Sequence, residues 1–221
     1  MNLIEAMNTR HSVRSYTAKP LPADVQQALQ QEIAACNAES GLHIQLVLNE
    51  PKAFEGGLAH YGSFRGVNNY IALIGKKSAA LDEACGYYGE RLVLKAQQLG
   101  LNTCWVALTY KKIPSAFSVA PGEKLTVVIS LGYGETQGVA HRSKPASTVS
   151  NLTERSPAWF ARGVEAALLA PTAMNQQKFT LTAEGSKVTA KPGFGFYTKM
   201  DLGIVKYHFE LGAGKENFQW S

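Results

Sequence analysis

The spacing of apolar residues predicts five main helices along the chain. Apolar side chains recur three or four positions apart, which places them on one helix face. Stretches of this kind are residues 1–8, 24–38, 81–99, 157–169 and 202–211. Gly100 closes the third stretch as glycine commonly closes helices, and Ser156 before Pro157 is expected to cap the fourth. A shorter helix is predicted at residues 113–117.

Runs of apolar residues with the length of strands lie between these helices. These runs are residues 43–48, 69–74, 102–107 and 125–131. Two more, residues 178–183 and 187–191, flank Glu184-Gly185 as the strands of a hairpin do. A Gly-rich stretch at 51–67 and a Ser- and Pro-rich stretch at 136–153 predict a loop and a linker. A chain of 221 residues with these elements is long enough for one large α+β domain or for two small, tightly joined ones.

The order of the predicted elements is faintly repeated. A helix, two strands and a helix follow one another at residues 25–99, and a shorter version follows at residues 157–211. This order predicts a degenerate duplication, with a first half at residues 1–150 and a shorter second half at 151–221, packed as one compact unit.

Composition narrows the functional class. The chain has 221 residues, of which 45% are hydrophobic and 18% are charged, as in an ordinary globular protein. No apolar run reaches the roughly 18 residues that span a bilayer, and the first residues lack the pattern of a signal peptide. We therefore expect a cytoplasmic protein without a membrane partner. The net charge of +5 is scattered rather than concentrated, which argues against a nucleic-acid partner.

The three cysteines suggest neither a disulfide framework nor a metal site. Cys36, Cys85 and Cys104 are far apart, and no CxxC or Cys/His cluster is present. Free cysteine is among the residues that are most often buried. We expect three buried or half-buried thiols and no metal.

A first candidate for binding chemistry lies close to the N-terminus. Arg10, His11, Ser12 and Arg14 place two guanidiniums, a hydroxyl and an imidazole within five residues. Arginine presents a rigid fork of donors that matches the oxygens of a phosphate, and serine adds a short neutral donor. The alternative is a solvated basic loop.

A second candidate follows the helix predicted at 157–169. The segment Ala170-Pro171-Thr172-Ala173-Met174-Asn175-Gln176-Gln177 offers amide side chains that can read the edge of a heteroaromatic ring. The alternative is an ordinary loop between a helix and a strand.

Two further segments carry weaker signals. After Gly100 the chain reads Leu-Asn-Thr-Cys-Trp-Val-Ala-Leu, where backbone amides could face a ring, although Trp105 could equally be a core residue. The segment His141-Arg142-Ser143-Lys144-Pro145 could add phosphate contacts or could be a charged linker. None of the stronger nucleotide or catalytic motifs is present.

Together these segments resemble the nitroreductase family. Residues 9–16 resemble its N-terminal Arg-(Arg/His)-Ser-hydrophobic-Arg-x-(Phe/Tyr) signature, and residues 170–177 resemble its Ala-Pro-Ser-x-x-Asn-x-Gln signature, with Thr172 in place of Ser. Residues 89–106 resemble the long helix that leads into Gly-Leu-x-Thr-Cys-Trp, and 129–145 resemble the closing strand and basic tail. The resemblance covers most of the chain and implies a nitroreductase-like α+β fold, with an antiparallel or mixed sheet flanked by helices.

The order of the motifs departs from the family pattern. Family members carry the Ala-Pro-Ser motif after the first helix, near residues 35–45 of this chain, where the sequence does not match. The resemblance is therefore to a divergent branch with a rearranged layout. Family members are usually dimers that hold flavin between subunits. This chain would be either a monomeric pseudo-dimer, with one flavin site inside the chain, or a true homodimer.

The resemblance implies an FMN-dependent oxidoreductase. It would transfer two electrons from NAD(P)H, either NADH or NADPH, to a small organic acceptor such as a nitroaromatic or a quinone. Arg10, Ser12, Arg14, Arg142 and Lys144 would bind the FMN phosphate and ribityl chain, and His11 would pack against the flavin. The residues implied near the isoalloxazine ring are Val106, Ala107, Leu108, Pro171, Thr172, Asn175 and Gln177.

No protein side chain is implied as a catalytic acid or base, because the flavin itself carries hydride chemistry. Rival activities on the same scaffold stay open at this point: reductive dehalogenation, flavin fragmentation, dehydrogenation of an organic substrate, or flavin binding with a regulatory role and no turnover.

Overall fold

The computed structural model describes all 221 residues. The helices are α1 (Leu3–Thr9), α2 (Ala23–Ser40), α3 (Gly57–Tyr61), α4 (Leu81–Gln98), α5 (Ala146–Val149), α6 (Ala158–Leu168) and α7 (Thr198–Ala213). The strands are β1 (Gln45–Val47), β2 (Asn69–Lys76), β3 (Asn102–Val106), β4 (Glu123–Gly132), β5 (Phe179–Glu184), β6 (Lys187–Pro192) and β7 (Gln219–Trp220). Short 3-10 turns occur at Pro51–Ala53, Ala173–Asn175 and Lys215–Asn217.

The chain divides into two compact units whose sequence ranges are interleaved. The unit that we call the four-stranded unit consists of Thr9–Leu81 and Leu92–Val139. The three-stranded unit consists of Met1–Asn8, Asp82–Arg91 and Ala140–Ser221. The predicted halves, 1–150 and 151–221, concern an origin by duplication, and they stay a prediction.

The four-stranded unit is built on an antiparallel sheet with the strand order β1-β2-β4-β3. The central pair, β2 and β4, runs in register from Asn69 opposite Leu131 to Lys76 opposite Glu123, with an irregularity between Leu73 and Ile74. Strand β2 is an unbroken apolar run that is buried along nearly its whole length. Such runs are typical of strands that are covered on both faces.

The three-stranded unit contains a sheet in the order β5-β6-β7 and a closely packed helix pair, α6 and α7. Strands β5 and β6 form the predicted hairpin, in which Glu184 pairs with Lys187. Part of α4 also packs against α7. A Cβ atom on Gly86 would overlap the carbonyl oxygen of Met200, and one on Gly203 would overlap that of Glu83. The two glycines therefore allow the backbones of α4 and α7 to approach closely.

The α+β fold class and the five main predicted helices are confirmed, but several local predictions were wrong. Residues 113–117 form a single turn, closed by the Ala116 amide on the Ile113 carbonyl at 3.0 Å, and no helix. Pro114 lies inside this short stretch, and Ile113 and Phe117 pack against the core. Ile113 precedes this proline, and a residue before proline is biased away from helical backbone angles.

The predicted cap of α6 does not form either. The helix begins after Pro157 without a side-chain cap, and the Ser156 hydroxyl instead accepts a hydrogen bond from the Thr153 amide at 3.0 Å. The predicted loop and linker contain the short helices α3 and α5, and strand β7 was not predicted. With only two residues, β7 is too short to show an alternation of apolar and polar positions.

Two further findings concern the cysteines and the hydropathy of the helices. All three cysteines are buried and unbridged, as expected for free thiols. None of the helices has the length and hydropathy that crossing a membrane requires.

Candidate functional site

The segment from Arg10 to Tyr16 lies along the edge of the four-stranded sheet. The Val13 amide donates to the Thr103 carbonyl of β3 at 3.0 Å, and the Tyr16 amide donates to the Arg65 carbonyl at 3.0 Å. The Tyr16 hydroxyl is buried, where it donates to the Val13 carbonyl at 2.7 Å and contacts the Ser130 hydroxyl at 2.8 Å. The backbone of the basic motif is therefore bound to the sheet, with Val13 and Tyr16 buried and with Ser12 and Arg14 exposed.

Three side chains of this segment, those of Arg10, Ser12 and Arg14, influence the thiol of Cys104 in β3, and Ser12 forms a bridge with Thr103, the neighbour of Cys104. Burial raises the pKa of the Cys104 thiol, whereas the two guanidiniums and a hydrogen bond from Ser12 lower it. Arg10 is only 4% exposed, while Ser12 and Arg14 reach solvent. Two cations and a hydroxyl at one accessible place suit an anionic group.

The other residues of the motif point elsewhere. Val13 is buried in the core, and His11 is half-buried. A Cβ atom on Gly138, whose φ is +72°, would lie 2.8 Å from the Cβ of His11, so the imidazole stem packs against the backbone of residue 138. The prediction that His11 packs against a flavin is not tested by these contacts.

The second predicted segment of this unit follows directly after β3. Val106 is the last residue of the strand and pairs with Val128, while Ala107 and Leu108 lie in the bend that follows. Leu108 is 71% exposed. Trp105 is half-buried and not a fully buried core residue.

The loop at residues 171–177 belongs to the three-stranded unit and has an unusual backbone. Met174, Asn175 and Gln177 have φ angles of 52°, 52° and 44°. Asparagine tolerates this left-handed region better than most residues, but methionine and glutamine do not. Each such residue costs on the order of 1 kcal/mol and persists only where the surroundings hold it.

One set of contacts that holds this loop comes from the basic tail at 142–144. Gln177 is 2% exposed, and its amide group accepts from the Lys144 backbone at 2.8 Å and donates to the Arg142 carbonyl at 2.8 Å. The Lys144 ammonium donates to the carbonyls of Gln176 and Gln177 at 2.8 and 3.2 Å. The Asn175 side chain also donates to the Arg142 carbonyl, at 2.9 Å.

Lys144 and Gln177 are thus structural ties between the tail and the loop. The guanidinium-bearing residue Arg142 is exposed, while its backbone is fixed by two amide side chains. That Lys144 contacts a phosphate, or that Gln177 approaches a flavin ring, stays a prediction.

A second set of contacts comes from Asp201 in the first turn of α7. One carboxylate oxygen accepts from the Ala173 amide at 2.9 Å, and the other accepts from the Gln176 side chain at 2.7 Å. The same Gln176 nitrogen donates to the Phe196 carbonyl at 2.8 Å. Asp201 is 3% exposed. Burial raises its pKa to about 6, and the two hydrogen bonds oppose that rise.

The structure therefore gathers the predicted residues into two sets, one in each unit. The four-stranded unit holds Arg10, His11, Ser12, Arg14, Val106, Ala107 and Leu108. The three-stranded unit holds Arg142, Lys144, Pro171, Thr172, Asn175 and Gln177.

Sequence reasoning missed Asp201 and the position of Cys104 beside the basic motif. A signal for Asp201 was available. It is the one charged residue in the run Met200-Asp201-Leu202-Gly203-Ile204-Val205, and a lone acid in a buried helix face requires partners.

Comparison with known proteins decides the family. A family model described as "Putative TM nitroreductase" matches residues 2–213, nearly the whole chain. The chain belongs to this nitroreductase family. No curated protein matches it.

Solved structures of nitroreductase-like proteins share the fold. A "putative nitroreductase" from Thermotoga maritima has a TM-score of 0.71 and 23% identity, over 96% of this chain and 83% of that one. A "putative nitroreductase in complex with FMN" from Desulfovibrio desulfuricans has a TM-score of 0.56 and 18% identity, over 71% of this chain and 99% of that one. A "Putative NADH dehydrogenase/NAD(P)H nitroreductase" from Parabacteroides distasonis has a TM-score of 0.53 and 18% identity, over 71% of this chain and 99% of that one. These similarities confirm the nitroreductase-like fold.

Proposed function

We propose that this nitroreductase-family protein is an FMN-dependent oxidoreductase that passes two electrons from NAD(P)H to a small organic acceptor, such as a nitroaromatic or a quinone. The observation that carries the proposal is that Arg10, Ser12 and Arg14 all influence the Cys104 thiol, in a chain that the family model matches over residues 2–213. Such a donor set fits the phosphate of FMN, which is a dianion with three oxygens.

The comparisons support FMN and a nicotinamide donor. One structural neighbour was solved in complex with FMN, another is described as an FMN-dependent nitroreductase, and two are described with NADH or NAD(P)H. FMN, when bound, supplies the hydride chemistry that no side chain of this protein can supply.

The residues of the protein would bind and orient the cofactor. Arg10, Ser12 and Arg14 would hold the phosphate, with Arg142 and Lys144 as the further cations of the predicted set. The bend after β3 and the loop at 171–177 would face the ring. Backbone amides in such positions stabilise negative charge that develops on a bound group.

Binding of FMN and of riboflavin, which lacks the phosphate, tests the assignment. We expect the protein to bind FMN much more tightly than riboflavin, with affinity followed by quenching of flavin fluorescence. Arg14→Ala, which changes an exposed residue, should weaken FMN binding by about tenfold or more, because a charged hydrogen bond to phosphate contributes about 1.5–3 kcal/mol. The combined change of Arg10 and Arg14 to Ala should abolish binding.

Arg65→Ala is the matched control. Arg65 is exposed and adjoins the motif, but it pairs with Ser15, so its side chain is on the opposite side from Arg14. It should leave FMN affinity unchanged. Equal affinity for FMN and riboflavin, or full flavin occupancy after both guanidiniums are removed from a protein with a native circular dichroism spectrum, would contradict the proposal.

A further inference from the structure

The loop at residues 171–177 is held in a conformation that it would not adopt alone. Met174, Asn175 and Gln177 all have positive φ angles, and the fourth residue nearby with a positive φ is Tyr197, at 60°. Met174 is 98% exposed, so no packing of its own side chain explains its backbone. The restraint must come from hydrogen bonds to neighbouring segments.

Asp201 supplies bonds to this loop at two points. Its carboxylate accepts from the Ala173 amide and from the Gln176 side chain, which bracket Met174 and Asn175. Through Gln176 it is also linked to the Phe196 carbonyl in the segment that precedes α7. One carboxylate thus ties the loop to the start of α7 and to residue 196.

The residue type at this position has an energetic cost. Asp201 is buried, pairs with no cation, and has its pKa raised by burial. A buried charge without a cation lowers stability relative to a neutral residue of the same size, and the two hydrogen bonds to Asp201 offset only part of that cost. Because a carboxylate at this buried position lowers the stability of the fold, its presence indicates a role other than stabilising the fold.

We propose that Asp201 is a positioning residue, which holds the 171–177 loop in the conformation that presents its backbone and Asn175 to the flavin ring. The inference rests on the proposed function. The change Asp201→Asn would keep the shape of the side chain, whose oxygen could still accept from the Ala173 amide. The NH₂ group of the introduced asparagine, however, would face the NH₂ of Gln176, so the link to Gln176 would be lost.

The first test follows the conformation of the 171–177 loop by NMR in the absence of flavin. The chain has four methionines, and a methyl-labelled sample gives Met174 its own NMR signal, assigned with Met174→Leu. We expect Asp201→Asn to shift the Met174 signal and leave that of Met7 in place. Glu210→Gln is the matched control, because Glu210 is a buried carboxylate farther along α7 that accepts from Tyr87 and Trp220. It should leave Met174 unshifted.

A comparison of Asp201→Asn with changes at Gln176 distinguishes a positioning role of Asp201 from a general effect on folding. Gln176→Leu should shift Met174 as Asp201→Asn does, and the double variant should shift it no further. An unshifted Met174 signal in Asp201→Asn, or additive shifts in the double variant, would overturn the proposal.

The second test adds FMN to the full chain. We expect Asp201→Asn to change FMN affinity by less than about threefold, because the phosphate contacts remain. It should also displace the visible absorption bands and slow flavin reduction by NADPH by about 10- to 100-fold, the scale of a small misplacement. A shifted Met174 signal with no FMN binding to the wild-type chain would refute the proposed function and leave Asp201 as the holder of the loop. Unchanged bands and reduction rate in a variant with a shifted Met174 signal would refute the effect on the flavin.

Discussion

Asp201 shows how a single residue can oppose stability while it organises a loop. Its carboxylate is buried without a cation and is satisfied by an amide of the backbone and an amide side chain. Cys104 has a comparable place in the other unit, as a thiol whose pKa is raised by burial and lowered by Arg14, Ser12 and Arg10. The sequence predicted the arginines and the serine, because their motif is contiguous. It did not predict these partners, which are brought close only by the fold.

The raised pKa of Asp201 predicts a pH-dependent difference in stability. In the folded state the Asp201 carboxyl keeps its proton up to about pH 6, whereas in the unfolded chain it loses the proton near pH 3.8. Unfolding between pH 3.8 and pH 6 therefore releases a proton. The contribution of Asp201 to the free energy of unfolding is therefore full below pH 3.8 and is lost as pH rises through about 6.

Urea unfolding of the wild type and of Asp201→Asn between pH 4 and pH 7.5 measures this difference. The wild-type value minus the variant value should fall by on the order of 2 kcal/mol across that range, since one pKa unit corresponds to about 1.4 kcal/mol. A difference that stays flat, or that grows with pH, would show that burial does not govern this carboxyl.

At the scale of elements, the long periodic segments were predictable and the short ones were not. Helices α2, α4, α6 and α7 and strand β2 have enough residues for their apolar spacing to be read directly. The single turn at 113–117 and the uncapped start of α6 were mispredicted, because local signals there compete with core packing and with Thr153. The close approach of α4 and α7 at Gly86 and Gly203 could not be foreseen, because these glycines look like ordinary helix interruptions in the sequence.

The close packing of α4 against α7 at Gly203 can be tested by adding a single methyl group, in the change Gly203→Ala. Gly203→Ala would place a Cβ atom against the Glu83 carbonyl, and backbone cannot yield as a side chain can. Despite the better helix propensity of alanine, we expect a loss of about 1–3 kcal/mol in the free energy of unfolding, the scale of overpacking. Gly57→Ala, whose Cβ would meet nothing within 4 Å, is the control and should cost nothing. An equal effect of both changes on the denaturation midpoint would refute the close approach.

At the scale of the whole molecule, the motifs identified the family, and the fold and the family model confirm it. The interleaving of the two units could not be predicted from the sequence. Helix α4 contributes residues to both units, and no change in composition marks the points where the chain passes from one unit to the other. The predicted residues are divided between the units. The duplication, and the choice between a pseudo-dimer and a homodimer, stay predictions that the mass of the flavin-loaded protein in solution can decide.

The central claim is that this chain is a working flavin oxidoreductase, and the visible spectrum of the purified protein tests it most directly. The protein is reconstituted with FMN, freed of excess flavin, and recorded before and after anaerobic NADPH or NADH. We predict flavin bands near about 450 nm that bleach with at least one nicotinamide and return when a quinone or nitroaromatic is added, since the flavin carries the redox chemistry. A protein that takes up no FMN, or whose bound FMN neither nicotinamide reduces, would contradict the account.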